Sequence, residues 1–262
     1  MNPSSILRNL PPKLSEKLFY RFFNKGQESY RESFTRASLR FAPKVTMHDL
    51  IVGDVISGQL ALNGFYELDL TRRIVDLAAQ GGVFVDVGAN IGYFSLLWLA
   101  GSSGNRTYSV EASPRNQQLL ENNISKNGFS DRATIICNAA GDREGAISFD
   151  TGPEDQTGWG GVGKKEDAIN AIEVNMVRLD ETLPHEPIEV MKIDVEGADT
   201  LVIQGCSKLL EKRLIGRIFF EQNPERMKPL NLDPGMAQDY LTSHNYRCYQ
   251  IGDDEWCAEK GD

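Results

Sequence analysis

Apolar positions along this chain fall into two alternating patterns, and together they predict the architecture. Short runs rich in β-branched and aromatic residues, at Val83 to Val87, Arg106 to Val110, Ala133 to Cys137, Ile188 to Ile193 and Leu214 to Phe220, have the length and composition of buried strands. Between them lie helical stretches. Tyr93 to Ala100 is almost wholly apolar, Pro114 to Asn127 is opened by Ser113 and closed by Gly128, and Asp199 to Lys212 follows the fourth run. Strand and helix thus alternate from residue 83 to residue 220, which predicts an α/β fold around a mostly parallel sheet. A helix near Pro234 to Ser243 and a hairpin, Tyr246 to Ile251 with Glu255 to Ala258, complete the chain.

Three stretches stand outside that rhythm. Near the N-terminus Leu14, Leu18, Phe19, Phe22 and Phe23 recur at helical spacing beside a basic face. Residues 1–44 hold nine Lys or Arg against three Glu, a local +6 that leaves −15 on the remainder. Residues 1–50 are therefore expected to be a basic amphipathic extension that folds back on its own acidic domain, in preference to lying on an anionic membrane or holding a peptide. Next, Asp49 to Val55 reads as a strand, and Gly64-Phe65-Tyr66-Glu67 opens a helix that runs to about Ala79. Finally, residues 150–170 carry no regular period. Trp159 stands there among glycines, and the stretch is either a lid over a substrate or a hairpin connection between the strands Ala146 to Phe149 and Ile172 to Val177.

Composition narrows the function without naming it. The chain of 262 residues, 40% apolar and 25% charged, is long enough for one large domain with additions. A net charge of −9 argues against a general nucleic-acid binder, whose phosphate contacts need clustered Lys and Arg. Cys137, Cys206, Cys248 and Cys257 form no C-x-x-C pair and are expected to be reduced core residues. No apolar stretch reaches membrane-spanning length and the N-terminus lacks the apolar core of a signal peptide, so a cytoplasmic protein is expected.

The chemistry concentrates where the predicted strands end. The first strand closes in Asp86 and the turn Gly88-Ala-Asn90-Ile-Gly92, and Glu111 closes the second, 23 residues beyond Gly88. A carboxylate in that place can accept two hydrogen bonds from the vicinal hydroxyls of a ribose. The G-x-G-x-x-G spacing that cradles a pyrophosphate is absent, and Asp86 would repel phosphate while attracting a cationic tail. An adenosine carrying an amino acid and a sulfonium, as in S-adenosylmethionine, fits better than NAD. Because ligands of open parallel sheets bind outside the carboxyl ends of the strands, Asp86, Glu111, Asp194, Glu196 and Glu221 should gather on one edge. Salt bridges and helix caps are the bland alternative for those carboxylates.

The segments Asp86-Val-Gly-Ala-Asn-Ile-Gly-Tyr93, Glu111 with Asn122-Asn123, and Met191-Lys-Ile-Asp-Val-Glu-Gly-Ala198 together resemble the FkbM family of S-adenosylmethionine-dependent methyltransferases. The resemblance runs from about Gly64 to Glu225 and implies a Rossmann-like class I methyltransferase fold, a seven-stranded sheet whose last strand is antiparallel. Residues 51–262 would be the methyltransferase domain. The cofactor is then expected against Glu67, Asp86, Gly88, Asn90, Tyr93, Glu111, Ser113, Asn138, Ala139 and Asp194, with Tyr66, Trp159 and Asn223 toward the acceptor. Asp194 is expected to be the base or acceptor anchor, with Glu196 and Glu221 positioning the acceptor. A Mg²⁺ ion held by these carboxylates is the less favoured arrangement. The implied reaction is O-methylation of a hydroxyl on a sugar or natural product. N-methylation of a peptide side-chain amide and a non-catalytic nucleotide-binding interaction protein stand as alternatives. Small-molecule, glycan and peptide acceptors, and a homo-oligomer, are all compatible with the sequence.

Overall fold

A computed structural model describes residues 3–24, 30–162 and 170–261. Its centre is a seven-stranded sheet built from β1 (Val83–Val87), β2 (Arg106–Val110), β3 (Ala133–Ile136), β4 (Ile188–Ile193), β5 (Ile215–Glu221), β6 (Tyr246–Gln250) and β7 (Glu255–Lys260). The spatial order is β3-β2-β1-β4-β5-β7-β6. The first five strands pair in parallel, and β7 runs antiparallel to both β5 and β6. This order, with a reversed strand at one side, is that of a Rossmann-like class I methyltransferase. Alternate side chains leave opposite faces of a strand, and the core divides accordingly. Phe84, Val190 and Phe219 pack on one face, whereas Val85, Met191, Ile193 and Phe220 pack on the other.

Register decides where the chemistry collects. Val87 pairs with Ile193 on one side and Val110 on the other, and Ile193 pairs with Phe220. Gly88, Glu111, Asp194 and Glu221 therefore leave the sheet along one edge. The antiparallel β7 enters at that same edge, with Glu255 opposite Glu221.

The N-terminal residues form helices α1 (Pro3–Asn9) and α2 (Pro12–Phe23), which fold back on α3 (Val55–Asn63). Phe19 and Phe23 of α2 rest against Gly58 of α3. Arg8 of α1 donates to the carbonyls of Leu60 and Ala61 in the same helix. The strand expected over Asp49 to Val55 is not formed. Thr46–His48 pairs with Arg36–Ser38 instead, and Val55 begins α3. The sequence concealed this helix because it is buried nearly all round and carries no amphipathic period. Its start is set by Asp54, whose carboxylate accepts the Ser57 N–H at 2.7 Å. The next helix, α4, runs Leu68–Ala78 rather than from Gly64, and α5 (Tyr93–Gly101) and α6 (Pro114–Lys126) follow β1 and β2. The helix expected over Asp199 to Lys212 is two short ones, Asp199–Gln204 and Ser207–Glu211.

Residues Gly145–Asp150 and Ala171–Val177 pair antiparallel in a smaller sheet, to which Gly161–Val162 adds. The aperiodic stretch is thus a hairpin connection in part, and residues 163–169 of it, like Lys25 of the basic arm, lie outside the described residues. All four cysteines are free. Cys206 and Cys257 are buried as expected, but Cys137 is exposed because it follows β3, the edge strand of the sheet. No described helix is long and apolar enough to cross a membrane.

Candidate active site

A cleft of about 320 Å³ opens at the carboxyl edge of the sheet. Its nucleoside end is built by the two loops after β1 and β2. Gly88 has φ 76°, and a Cβ there would stand 1.9 Å from the Asp194 carbonyl oxygen, so only glycine fits where the β1 turn meets the end of β4. Glu111 is buried and fastens both loops. Its Oε2 accepts the Asn90 N–H and its Oε1 the Ser113 N–H, each at 2.8 Å. Burial raises its carboxyl above the ordinary value, and the two N–H groups oppose that shift. Asn138 and Ala139 line the same end. The buried Asn90 Oδ1, Ser113 Oγ and Asn116 Oδ1 also border this cleft, and none has a hydrogen-bond partner among the described residues. Buried polar atoms are rarely left orphaned, and these suit a ligand with polar edges such as a nucleoside.

Two residues expected against the cofactor stand behind the turn instead. Asp86 is buried beneath it, with Oδ2 accepting the Ser95 hydroxyl at 2.6 Å. Tyr93 is buried with its hydroxyl 3.0 Å from Thr71 Oγ1, beside a separate recess of about 30 Å³. The strand alternation that makes Asp86 point away from the cleft, and the first turn of α5 that buries Tyr93, account for both placements.

The other end of the cleft is rich in carboxylates. Glu67, Asp194, Glu196, Glu221 and Glu255 line it, with Tyr66, Asn223, Phe219 and Trp256. Two cations face them. Lys192 Nζ is buried 3.0 Å from Asp194 Oδ2 and 5.0 Å from the centre of the Phe94 ring, and Arg226 Nε is 3.2 Å from Glu196 Oε2. Burial alone would lower the Lys192 ammonium, but Asp194, Asp86 and Glu67 outweigh it and hold it above its ordinary value. Burial and the neighbouring Asp194 push Glu196 up to about 7 against the pull of Arg226. The same two causes push Glu67 up to about 8, opposed by Lys192. Glu67 is also held at φ 43°, a left-handed conformation uncommon outside glycine. Behind this group the buried Asp199 accepts the N–H of Glu221 at 2.9 Å and that of Val195 at 3.4 Å, joining the ends of β4 and β5. Among the described residues, no three His, Cys, Asp or Glu side chains are grouped to hold a metal ion.

A roof of Ile56, Thr157, Gly158, Gly160 and Val162 covers part of the cleft. Asp54 secures it. Its Oδ1 accepts the Thr157 N–H at 2.9 Å and its Oδ2 the Thr157 hydroxyl at 3.1 Å, in addition to capping α3. Arg115 donates to the carbonyls of Pro153, Glu154 and Gln156, and Asn116 to that of Thr157. Gly158 lies so close to Ile56 that a Cβ would come 2.8 Å from Cδ1. Trp159, expected to touch the acceptor, does not line the cleft. It is 55% exposed at the rim, with the Arg226 guanidinium 5.8 Å from its ring centre.

The family model described as "Methyltransferase FkbM domain" matches residues 86–248. Curated relatives include the tRNA wybutosine-synthesizing protein 2 homologs of Mus musculus and Homo sapiens, each 36% identical over 106 residues. That match covers 36% of this chain and 23% of each relative, so the chain spans less than a quarter of their length. Similar solved structures include an O-methyltransferase from Bacillus cereus in complex with S-adenosylhomocysteine, at 14% identity and TM-score 0.44 over 75% of this chain and 83% of that one. Another is precorrin-6y C5,15-methyltransferase from Geobacter metallireducens, at 14% identity and TM-score 0.44 over 75% and 90%.

Proposed function

The chain belongs to the FkbM methyltransferase family; on that premise, we propose that it is an S-adenosylmethionine-dependent methyltransferase that methylates a hydroxyl of a sugar or natural product at the carboxylate end of the cleft. The N-terminal segment 1–50 is an extension of the methyltransferase domain 51–262, and the unpaired cysteines suit a cytoplasmic enzyme. S-adenosylmethionine supplies an electrophilic methyl group when bound. The remaining lone pairs of Glu111 would take the ribose hydroxyls, and Asn90, Ser113, Asn138 and Ala139 would border the nucleoside. Glu67, near Asp194, would take the cationic amino-acid end.

The observation that carries the acceptor reading is Glu196, a cleft carboxyl poised at about 7 beside Asp194. A general base works best when its pKa lies near the working pH, and such a base contributes typically ~10²–10⁴-fold. Each carboxylate has one oxygen on a cation, Asp194 on the buried Lys192 and Glu196 on Arg226; Glu196, whose carboxyl is raised to about 7, would take the proton, and Asp194 would anchor the acceptor hydroxyl. Glu221 and Asn223 would hold neighbouring hydroxyls, and Tyr66 and Trp256 would pack against a ring. Such an arrangement prefers a neutral, hydroxyl-rich acceptor over an anionic one, since four further carboxyl groups surround Asp194. The test is methyl transfer from labelled S-adenosylmethionine to a panel of glycosides, polyketide alcohols, carboxylates and peptide amides. Labelled methyl ethers on the first two classes support the reading; label on amide nitrogen alone, or none on any hydroxyl, refutes it.

A further inference from the structure

We propose that the outer face of α2 docks the protein on an anionic phospholipid surface. The inner face of this helix is committed: Ser15, Phe19 and Phe23 are buried, the two rings against Gly58 of α3. The opposite face presents Lys13, Leu14, Lys17, Tyr20 and Arg21, all exposed. At 100° per residue these five fall within one third of the helix circumference, with the three cations in the middle and Tyr20 and Leu14 at its two edges. Leu14 at 43% and Tyr20 at 56% exposure are two of the four large apolar side chains left open to solvent among the described residues.

Several cations elsewhere on the surface are paired, while others, among them Lys44 and Lys228, stand without an ion pair to any described residue as those on this face do. Arg72, Arg106, Lys126, Arg143, Lys208 and Arg247 each stand within 4.0 Å of a carboxylate. Lys13, Lys17 and Arg21 have no hydrogen bond or ion pair with any described residue. Three unpaired cations flanked by an aromatic and an aliphatic side chain match the two requirements of an interfacial helix, charge toward anionic headgroups and apolar groups that can enter the acyl boundary. A nucleic acid would meet the same cations, but a solvent-exposed leucine beside them adds nothing to phosphate recognition, whereas it adds buried area at a lipid surface.

The charge of the whole chain favours this orientation. Residues outside 1–44 carry −15 and are repelled by an anionic surface, so the basic arm is the part that can approach it. Because α2 covers α3 on its inner side, and only the first turn of α3 reaches the cleft through Ile56, the docked face points away from the ligand site. Lipid binding and cofactor binding are therefore independent, and failure of one leaves the other standing.

The experiment is flotation of the full-length protein with vesicles of pure phosphatidylcholine and with vesicles containing about one third phosphatidylglycerol. The wild type should float with the anionic vesicles and not with the neutral ones, and should be released as salt rises from about 0.1 M to 0.5 M, where screening shortens the reach of the headgroup charge. A Lys13→Gln/Lys17→Gln/Arg21→Gln variant should lose at least about tenfold in partition, since each surface cation contributes roughly fivefold. A Leu14→Ser/Tyr20→Ser variant should weaken binding with its salt dependence retained. All five side chains are exposed, so unchanged melting temperature and S-adenosylhomocysteine affinity are expected in both variants. Wild-type flotation by the triple variant, equal binding to neutral vesicles, or no flotation while a homopolymeric single-stranded oligonucleotide binds through the same cations would overturn the proposal.

Discussion

Lys192 Nζ lies 3.0 Å from Asp194 Oδ2, with the ammonium buried and the carboxylate bordering the cleft. This pair joins the interior of β4 to its chemical end, and Asp86 and Glu67 add their charge to it. Removing the cation leaves those carboxyl groups without a buried counter-charge, a change that typically costs ~3–5 kcal/mol. Lys192→Met should therefore lower unfolding free energy by an amount in that range, read from denaturant titration. Asp194→Asn should be milder in stability, retain S-adenosylhomocysteine affinity and lose most turnover. Full activity in Asp194→Asn would remove it from the acceptor site.

The pH dependence follows from Glu196. With its carboxyl raised to about 7, a base at this position is protonated in acid, so turnover should rise with pH and level off above neutrality. Glu196→Gln should lose the rising limb along with most of the rate, and Arg226→Gln, which removes the opposing cation, should move the limb to higher pH. A pH–rate profile unchanged by both substitutions would exclude Glu196 as the base.

Glu67 makes the corresponding claim about stability. Its folded-state pKa, about 8, lies above the unfolded carboxyl value, so the folded state binds the extra proton. Its contribution is fully present below about pH 4.5 and is lost as pH rises through about 8. Glu67→Gln should flatten the decline in melting temperature over that window, and the variant should be the more stable protein at about pH 9, by roughly 2–4 °C for each kcal/mol. A steeper decline in the variant would contradict the sign.

How much of this was legible in the sequence depended on whether a feature was local. Gly88, Glu111, Asp194 and Glu221 stand where apolar runs stop, and a parallel sheet brings such ends together. Lys192 reads in sequence as one polar interruption of a strand, and only the register opposite Asp86 gives it a role. Glu255 belongs to the site because β7 is antiparallel and starts where β5 ends. Arg226 with Glu196, Asp199 with Glu221 and Asp54 with Thr157 join residues that whole helices and strands separate along the chain, so no local pattern pairs them. Trp159 was conspicuous among glycines for its composition, yet Gly158, its neighbour, is what lines the cleft.

The roof gives a further prediction. Asp54 accepts three hydrogen bonds, one from the Ser57 N–H that caps α3 and two from Thr157. Asp54→Ala removes an N-cap worth about 0.5–2 kcal/mol and the loop's anchor with it. Limited proteolysis should then cut within residues 150–160 faster than in the wild type, and S-adenosylhomocysteine should protect less. Trp159→Ala, at the rim, should leave cofactor affinity nearly intact and impair turnover; equal turnover would assign the loop to cofactor retention alone.

The central claim is that Glu111 and the β1 turn hold the nucleoside while the methyl group faces the Asp194 and Glu196 side. A crystal structure with S-adenosylhomocysteine tests it most directly, paired with calorimetry on Glu111→Ala. The account predicts both ribose hydroxyls within hydrogen-bond reach of Glu111, the sulfur facing Asp194, and an affinity loss on the order of 2–4 kcal/mol in the folded variant. S-adenosylhomocysteine bound elsewhere, or wild-type affinity in Glu111→Ala, would contradict it.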